Sequence, residues 1–279
     1  MSFNNFKAKI WSKDIQRELE RVAVYANDTN QKYSGEIKGV GDTVRIQGVG
    51  KPKITMFTNK DRIKLEEAER VEDTSTSLIV DHVATFNYAV DDIDKAQGAN
   101  GVLPILNTEA SEETGNVIDR AIAELSNDKQ AKRMTPVEIV GGKDGNALSI
   151  LDLALQHLYE MDVNPSTLIT VTIPPAFYTR FKQVYTHIDT NNSEYLKNGQ
   201  IAKYSNAVIR LSNNVAKDKE GHDLIQVKTQ RAIALAKSEP HTEPYRPEDG
   251  FADAVKGFVL FGTKIVRPKE FINIPVSYK

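Results

Sequence analysis

A chain of 279 residues is long enough for one large hydrophobic core or two smaller ones, and 40 % hydrophobic with 27 % charged residues is ordinary for a soluble fold. The formal net charge of −2 excludes wholesale wrapping of nucleic acid, which takes a basic surface, but leaves a shallow contact open. Cysteine is absent, which excludes disulfides and thiolate metal sites and removes any need for an oxidising compartment.

No apolar run approaches the length of a membrane span, and the opening MSFNNFKAKIW lacks the apolar stretch of a signal peptide, so a cytoplasmic origin is expected. Residues 10–26 follow with helical spacing. Ile10, Ile15, Leu19, Val22 and Ala26 lie near one face, opposite Lys13, Asp14, Arg17, Glu18, Glu20 and Arg21. That stripe has to be buried in the chain's own core or against a neighbouring subunit.

From Tyr33 to Ser77 the character changes. Strand-like pieces at Thr43–Ile46 and Ile54–Phe57 flank a turn-forming Gly48-Val49-Gly50-Lys51-Pro52. Eight Lys/Arg, eight Asp/Glu and few large apolar side chains cannot build a core, so a protruding hairpin is expected. Strict alternation then places Leu78, Val80, His82, Ala84, Phe86, Tyr88 and Val90 on one face of a long strand. After Asp91-Asp92-Ile93-Asp94 the period becomes helical, with Val117, Ile118, Ala121, Ile122 and Leu125 on the buried face. Asn107 or Thr108 is the expected cap, with Glu109, Glu112 and Glu113 favouring the first turn.

Gly141 to Asn146 breaks the pattern before a second helix carrying Leu148, Leu151, Leu155 and Leu158. Asn164-Pro165 leads into a strand over 167–173, and Pro175 suits the first turn of a helix bearing Phe177, Tyr178 and Phe181. A strand pair is expected at Ile201–Leu211 and Leu224–Val227, then a buried strand at Ala232–Ala236 and a loop over His241–Asp249. Val255–Val266 is the last strong element.

Catalytic and metal signatures do not emerge. Gly48-Val49-Gly50-Lys51 fails as a phosphate loop because Arg45 and Pro52 stand where glycine and a hydroxyl residue are required, and Asp144 spoils Gly141-Gly142-Lys143. Asp91, Asp92 and Asp94 could face a hard cation, but the ligand count favours a plain acidic turn. His82, His157, His187, His222 and His241 are scattered without metal-ligand spacing, and His157 reads as packing or surface. No cofactor, metal or catalytic residue is assigned.

The order of elements nevertheless resembles the major capsid proteins of tailed bacteriophages, the family with the Hong Kong 97 type fold. Ala26-Asn27-Asp28-Thr29-Asn30, Tyr33-Ser34-Gly35-Glu36-Ile37 and Gly41-Asp42-Thr43-Val44-Arg45-Ile46 carry the likeness. So do Phe86 to Gln97, Asn198-Gly199-Gln200-Ile201-Ala202 and Phe258 to Pro268. Nearly the whole chain is covered; each motif is weak alone, and the sequence in which they occur is what matters. The resemblance implies an α+β fold with an N-terminal arm (1–30), an E-loop hairpin (31–78) and a peripheral domain (79–160) with a spine helix at 103–130. An axial domain (161–250) and a return to the peripheral domain (251–279) complete it.

The same resemblance implies a virion shell assembled in the host cytoplasm from hexamers and pentamers of this chain around double-stranded DNA held non-specifically. Intersubunit contacts are expected from Ile15, Leu19 and Val22 of the arm. In the E-loop they are expected from Arg45, Lys51, Lys53, Lys60, Arg62, Lys64, Glu66 and Glu67. A separate scaffolding protein and a portal are the implied partners, since the long N-terminal assembly domain of the founding member is missing. Some relatives crosslink a lysine to an asparagine, but no residue here matches that chemistry specifically. Two further readings are carried beside this one: an encapsulin-like cellular shell around a cargo enzyme, and, well behind, an ordinary α/β enzyme.

Overall fold

One long strand near the chain's end joins the other three strands of a four-stranded sheet. The computed structural model describes residues 23–33, 37, 39–49, 73–91, 102–142, 145–186, 203–248 and 252–279. The first strands are β1 (Thr43–Val49), β2 (Asp73–Ile79), β3 (His82–Asp91), β4 (Lys132–Arg133) and β5 (Val137–Ile139). Then come β6 (Ile169–Ile173), β7 (Lys203–Tyr204), β8 (Ala207–Leu211), β9 (Asp223–Thr229) and β10 (Ile233–Lys237). The last are β11 (His241–Tyr245), β12 (Ala252–Ile265) and β13 (Phe271–Tyr278). The helices are α1 (Val102–Glu124), α2 (Ala147–Glu160) and α3 (Pro175–Thr186).

The long strand is β12. It pairs antiparallel with β3 along one edge, from Ala252↔Asp91 to Phe261↔His82, and with β11 and then β10 along the other. Pro244 is tolerated in β11 because that strand is an edge, where a missing N–H costs no ladder bond. The expected loop over 241–249 is therefore a strand at its start.

The alternation beginning at Leu78 is real, but it spans two strands. β2 pairs with β1, β3 pairs with β12, and Val80-Asp81 lie between them. Leu78, Val80, Ala84 and Val90 are buried and Phe86 and Tyr88 half-buried, while His82 is exposed against the expectation. The chain crosses β12 at Gly262, where a Cβ would collide with the Ile79 carbonyl oxygen and stand 3.0 Å from Val80 Cα. Only glycine lets the two backbones approach this closely.

The second sheet holds seven strands in the order β4-β13-β9-β6-β8-β7, with β5 also along β13. Its apolar face (Ile169, Val171, Ile173, Ile225, Val227, Ile272, Ile274 and Val276) packs on α2 and α3. Leu148, Leu151, Leu155 and Leu158 of α2 and Phe177 and Phe181 of α3 meet it as their spacing predicts. The expected strand pair instead flanks β6, with β8 parallel on one side and β9 antiparallel on the other.

Both sheets draw strands from distant parts of the chain. β10 and β11 belong with β12, whereas β4, β5 and the C-terminal β13 belong to the seven-stranded sheet. Strand pairing is non-local: β13 is buried on both sides between β9 and β4/β5.

Helix α1 begins where the 103–130 helix is implied, ahead of the expected cap, and is rotated relative to the expected buried face. It begins at Val102, so Asn107 is interior and accepts a hydrogen bond from the Tyr88 hydroxyl, rather than capping. Glu109, Glu112 and Glu113 lie on the exposed side beyond the first turn. The buried stripe is Ser111, Thr114, Gly115, Ile118, Asp119, Ile122, Ala123 and, one turn on, Ser126; Val117 is 38 % exposed. Ser111 and Thr114 are satisfied inside the helix, donating to the Asn107 and Ala110 carbonyls at 2.7 Å each. Of the helix expected over 10–26, only Ala23–Ala26 is described, and Ala23–Tyr25 is not helical.

Gly262→Ala should lower the unfolding free energy by about 1–3 kcal/mol, the usual cost of forcing atoms into a filled site. Urea titration measures it, and an unchanged midpoint would mean the crossing is looser than its distances imply.

Candidate assembly interface

Two segments adjoin stretches outside the described residues, and different chemistry holds each. The hairpin is rooted by apolar packing. Val44, Ile46, Leu78 and Val80 close with Ala234, Ala236 and Leu260 into a small buried cluster, flanked by Tyr33, Ile37 and Val266. Backbone bonds fasten its base: Gly41 N donates to Val80 O at 2.8 Å and Val80 N to Asp42 O at 3.0 Å. Gly41 has φ +90°, a left-handed conformation that glycine adopts without strain. From Thr43↔Ile79 to Val49↔Asp73 the strands remain paired.

Arg45 is exposed on β1 opposite Ser77, on the face turned away from that cluster. The other expected contact residues (Ile15, Leu19, Val22, Lys51, Lys53, Lys60, Arg62, Lys64, Glu66 and Glu67) lie outside the described residues, as do Asp92 and Asp94. Asp91 is the last residue of β3. His157 is at the surface, 3.4 Å from Glu160.

The other root, Ala23–Gln31, sits in a polar seam that sequence reading misses. Asp119 of α1 accepts the backbone N–H groups of Val24 and Ala26 at 2.7 and 3.0 Å. Asp28 pairs with Arg210 of β8 at 3.1 Å. Asn30 bridges to β10, donating to Ile233 O at 2.9 Å and accepting from Leu235 N at 3.0 Å. Tyr25 is fully buried, and Lys228 Nζ lies 5.9 Å from the centre of its ring.

Beneath the segment is the other face of the seven-stranded sheet: Thr170, Thr172, Gln226, Lys228 and Asn273, each at most 2 % exposed. Part of this polarity ends α1. Gln226 Nε2 lies 3.2 Å from the carbonyl oxygens of Ile122 and Ala123 and 2.7 Å from Ser126 Oγ. Asn273 Nδ2 donates to Ser126 O at 3.1 Å. The last turn of a helix leaves carbonyls without partners, and here the sheet supplies the donors.

Lys228 is the costly member. Burial pulls its ammonium down to about 8, against the opposing pull of Asp28 and Asp119. Burial also raises the Asp119 carboxyl despite its backbone N–H bonds and Lys228. The Tyr25 hydroxyl is raised, first by burial and then by Asp119. The sequence marks a strand over 167–173, and Ile169–Ile173 is buried on both faces.

Among the described residues no group of three or more His, Asp or Glu could hold a metal ion, and no helix is long and apolar enough to cross a membrane.

No protein-family model matches the chain, and no curated protein does. Solved structures do. A structure from Mycobacterium phage Che8 is 23 % identical, with 90 % of each chain covered and a TM-score of 0.70. The capsid of cyanophage P-SCSP1u is 13 % identical over 92 % of this chain and 89 % of that one, at a TM-score of 0.62. A virus-like particle from Pyrococcus furiosus is 14 % identical over 96 % and 99 %, at 0.59. The chain has the fold these structures share, the α+β Hong Kong 97 type.

Gln226→Met keeps the volume and removes the amide, stranding two carbonyls and a hydroxyl. Stability should fall by about 1–3 kcal/mol, the cost of buried polar groups left unpaired. Chemical denaturation monitored by circular dichroism checks it.

Proposed function

We propose that this chain is a structural shell subunit, the major capsid protein of a tailed-phage head, and not an enzyme. The observation that carries this reading is the fold shared with solved phage capsid structures over about nine-tenths of the chain. A hairpin with balanced charge and no core of its own is useful where its partner is another copy. In this reading residues 1–30 act as the arm and 31–78 as the intersubunit hairpin. Hexamers and pentamers close into an icosahedral shell in the host cytoplasm, with a separate scaffolding protein and a portal, around double-stranded DNA. A net charge of −2 suits a container that holds DNA without gripping it by sequence.

The Pyrococcus furiosus particle supports one alternative, an encapsulin-like cellular shell that encloses a cargo enzyme. Particle contents separate the two, since a phage head yields nuclease-protected DNA and a compartment yields protein cargo.

Expressed with its cognate scaffold, the protein should form capsomers and closed shells, visible by sedimentation and electron microscopy. Dimers that persist under all such conditions sink the proposal. Leu19→Asp places a charge on the arm's apolar stripe, at about 2–4 kcal/mol for a buried contact. Shell yield should drop while the circular dichroism and melting of the free subunit stay unchanged. Equal loss of both would put this stripe in the subunit's own core.

A further inference from the structure

The polar seam contains more buried charge than it pairs. Lys228 is 0 % exposed, Asp119 2 % and Asp28 9 %. Asp119 is held by backbone N–H groups and Asp28 by Arg210, yet Lys228 Nζ and the Tyr25 hydroxyl have no hydrogen-bond partner among the described residues. The attraction between separated buried charges does not repay the cost of drying them. A seam made this way holds its segment less firmly than an apolar one of equal area.

We propose that the buried charges of Lys228 and Asp119 keep the segment Ala23–Gln31 in a metastable seat, loosest near neutral pH, from which it detaches without unfolding the sheet beneath. The seat lies within one chain and stands independently of the shell reading. It concerns how readily the root of the N-terminal arm is released, a step any rearrangement of the arm must pass.

The groups that face the seat fix the sign. Tyr25 and Asp28 come from the segment, Asp119 from α1, Lys228 and Asp223 from β9, and Arg210 from β8 through Asp28. The neighbours Thr170, Thr172 and Asn273 carry no charge. Burial holds Lys228 at about 8, so the seated state sheds this proton more readily than the detached one. The seat therefore tightens as pH rises from about 8 toward the ordinary lysine range. Burial raises Asp119, so the seated state takes up a proton more readily, and the seat also tightens as pH falls through that raised value. Tyr25, raised by burial, keeps its proton in the seat, whereas a detached tyrosine ionises near pH 10, so the alkaline tightening is read between about 8 and 10. Between the two limits both charges are present and the seat is loosest.

The absence of cysteine makes the test direct. Ala23→Cys places a single thiol in the seat, with Lys129→Cys in an exposed turn as the reference for intrinsic reactivity. Labelling both with 4,4′-dithiodipyridine across the pH range gives the protection of the seat as a ratio of rates. Protection should be lowest near neutral pH and rise by up to about tenfold per pH unit above the Lys228 value, the slope of one proton. Adding Lys228→Met should raise protection at neutral pH and abolish the alkaline rise. Where the introduced thiol disturbs the seat, hydrogen exchange of the Val24 and Ala26 amides in the unmodified chain, corrected for intrinsic rates, reads the same profile. Exchange across Ile169–Ile173 should stay slow at every pH. A flat or inverted profile, no effect of Lys228→Met, or loss of protection in β6 together with the segment overturns the proposal.

Discussion

The constraint on which the rest depends is the double burial of β10. Every residue from Ile233 to Lys237 is buried, and the strand's two faces serve different partners. Ile233 and Leu235 join the cluster around α1 and the arm root, while Ala234 and Ala236 close the cluster at the base of the hairpin. Period two thus becomes a division of labour, with one strand five residues long seating both extensions. Small side chains on the hairpin face let β1 and β2 come close; larger ones on the other face fill the space under the helix. The antiparallel ladder from Ile233↔Ile265 to Lys237↔Phe261 ties all of this to β12.

The two roots differ in how firmly they hold. Apolar packing has no preference for orientation and gains from every area covered, so the hairpin base is stabilised in proportion to its burial. The arm root depends on directed bonds to Asp119, Asp28 and β10, over a layer that includes an unpaired ammonium. Directed bonds exchange for bonds to water at small net gain. One extension is built into the body and the other is set upon it.

Much of the architecture is legible in the residues. Leu148, Leu151, Leu155 and Leu158 define the inner side of α2, and Pro175 marks where α3 begins. The failures share a cause. Apolar periodicity places Val117 inside α1 and overlooks Ser111, Thr114 and Asp119, because polar residues satisfied within a helix or by backbone N–H groups carry no hydrophobic signal. Pro244 makes His241–Tyr245 read as loop, though an edge strand accepts proline. Strand neighbours such as β13 between β9 and β4 cannot be read from local pattern at all. Of the expected contact residues only Arg45 is among those described.

The crossing at Gly262 also determines how a pull on the hairpin would be borne. β2 passes into β3 through only Val80 and Asp81, and β3 is laddered to β12 over ten residue pairs. Hydrogen bonds of an antiparallel ladder run across the strands, so tension arriving along β3 loads them sideways and together, not one after another. Tension passed from β2 into β3 is met by shear along the whole ladder, so the root formed by β1 and β2 is anchored along the length of β3.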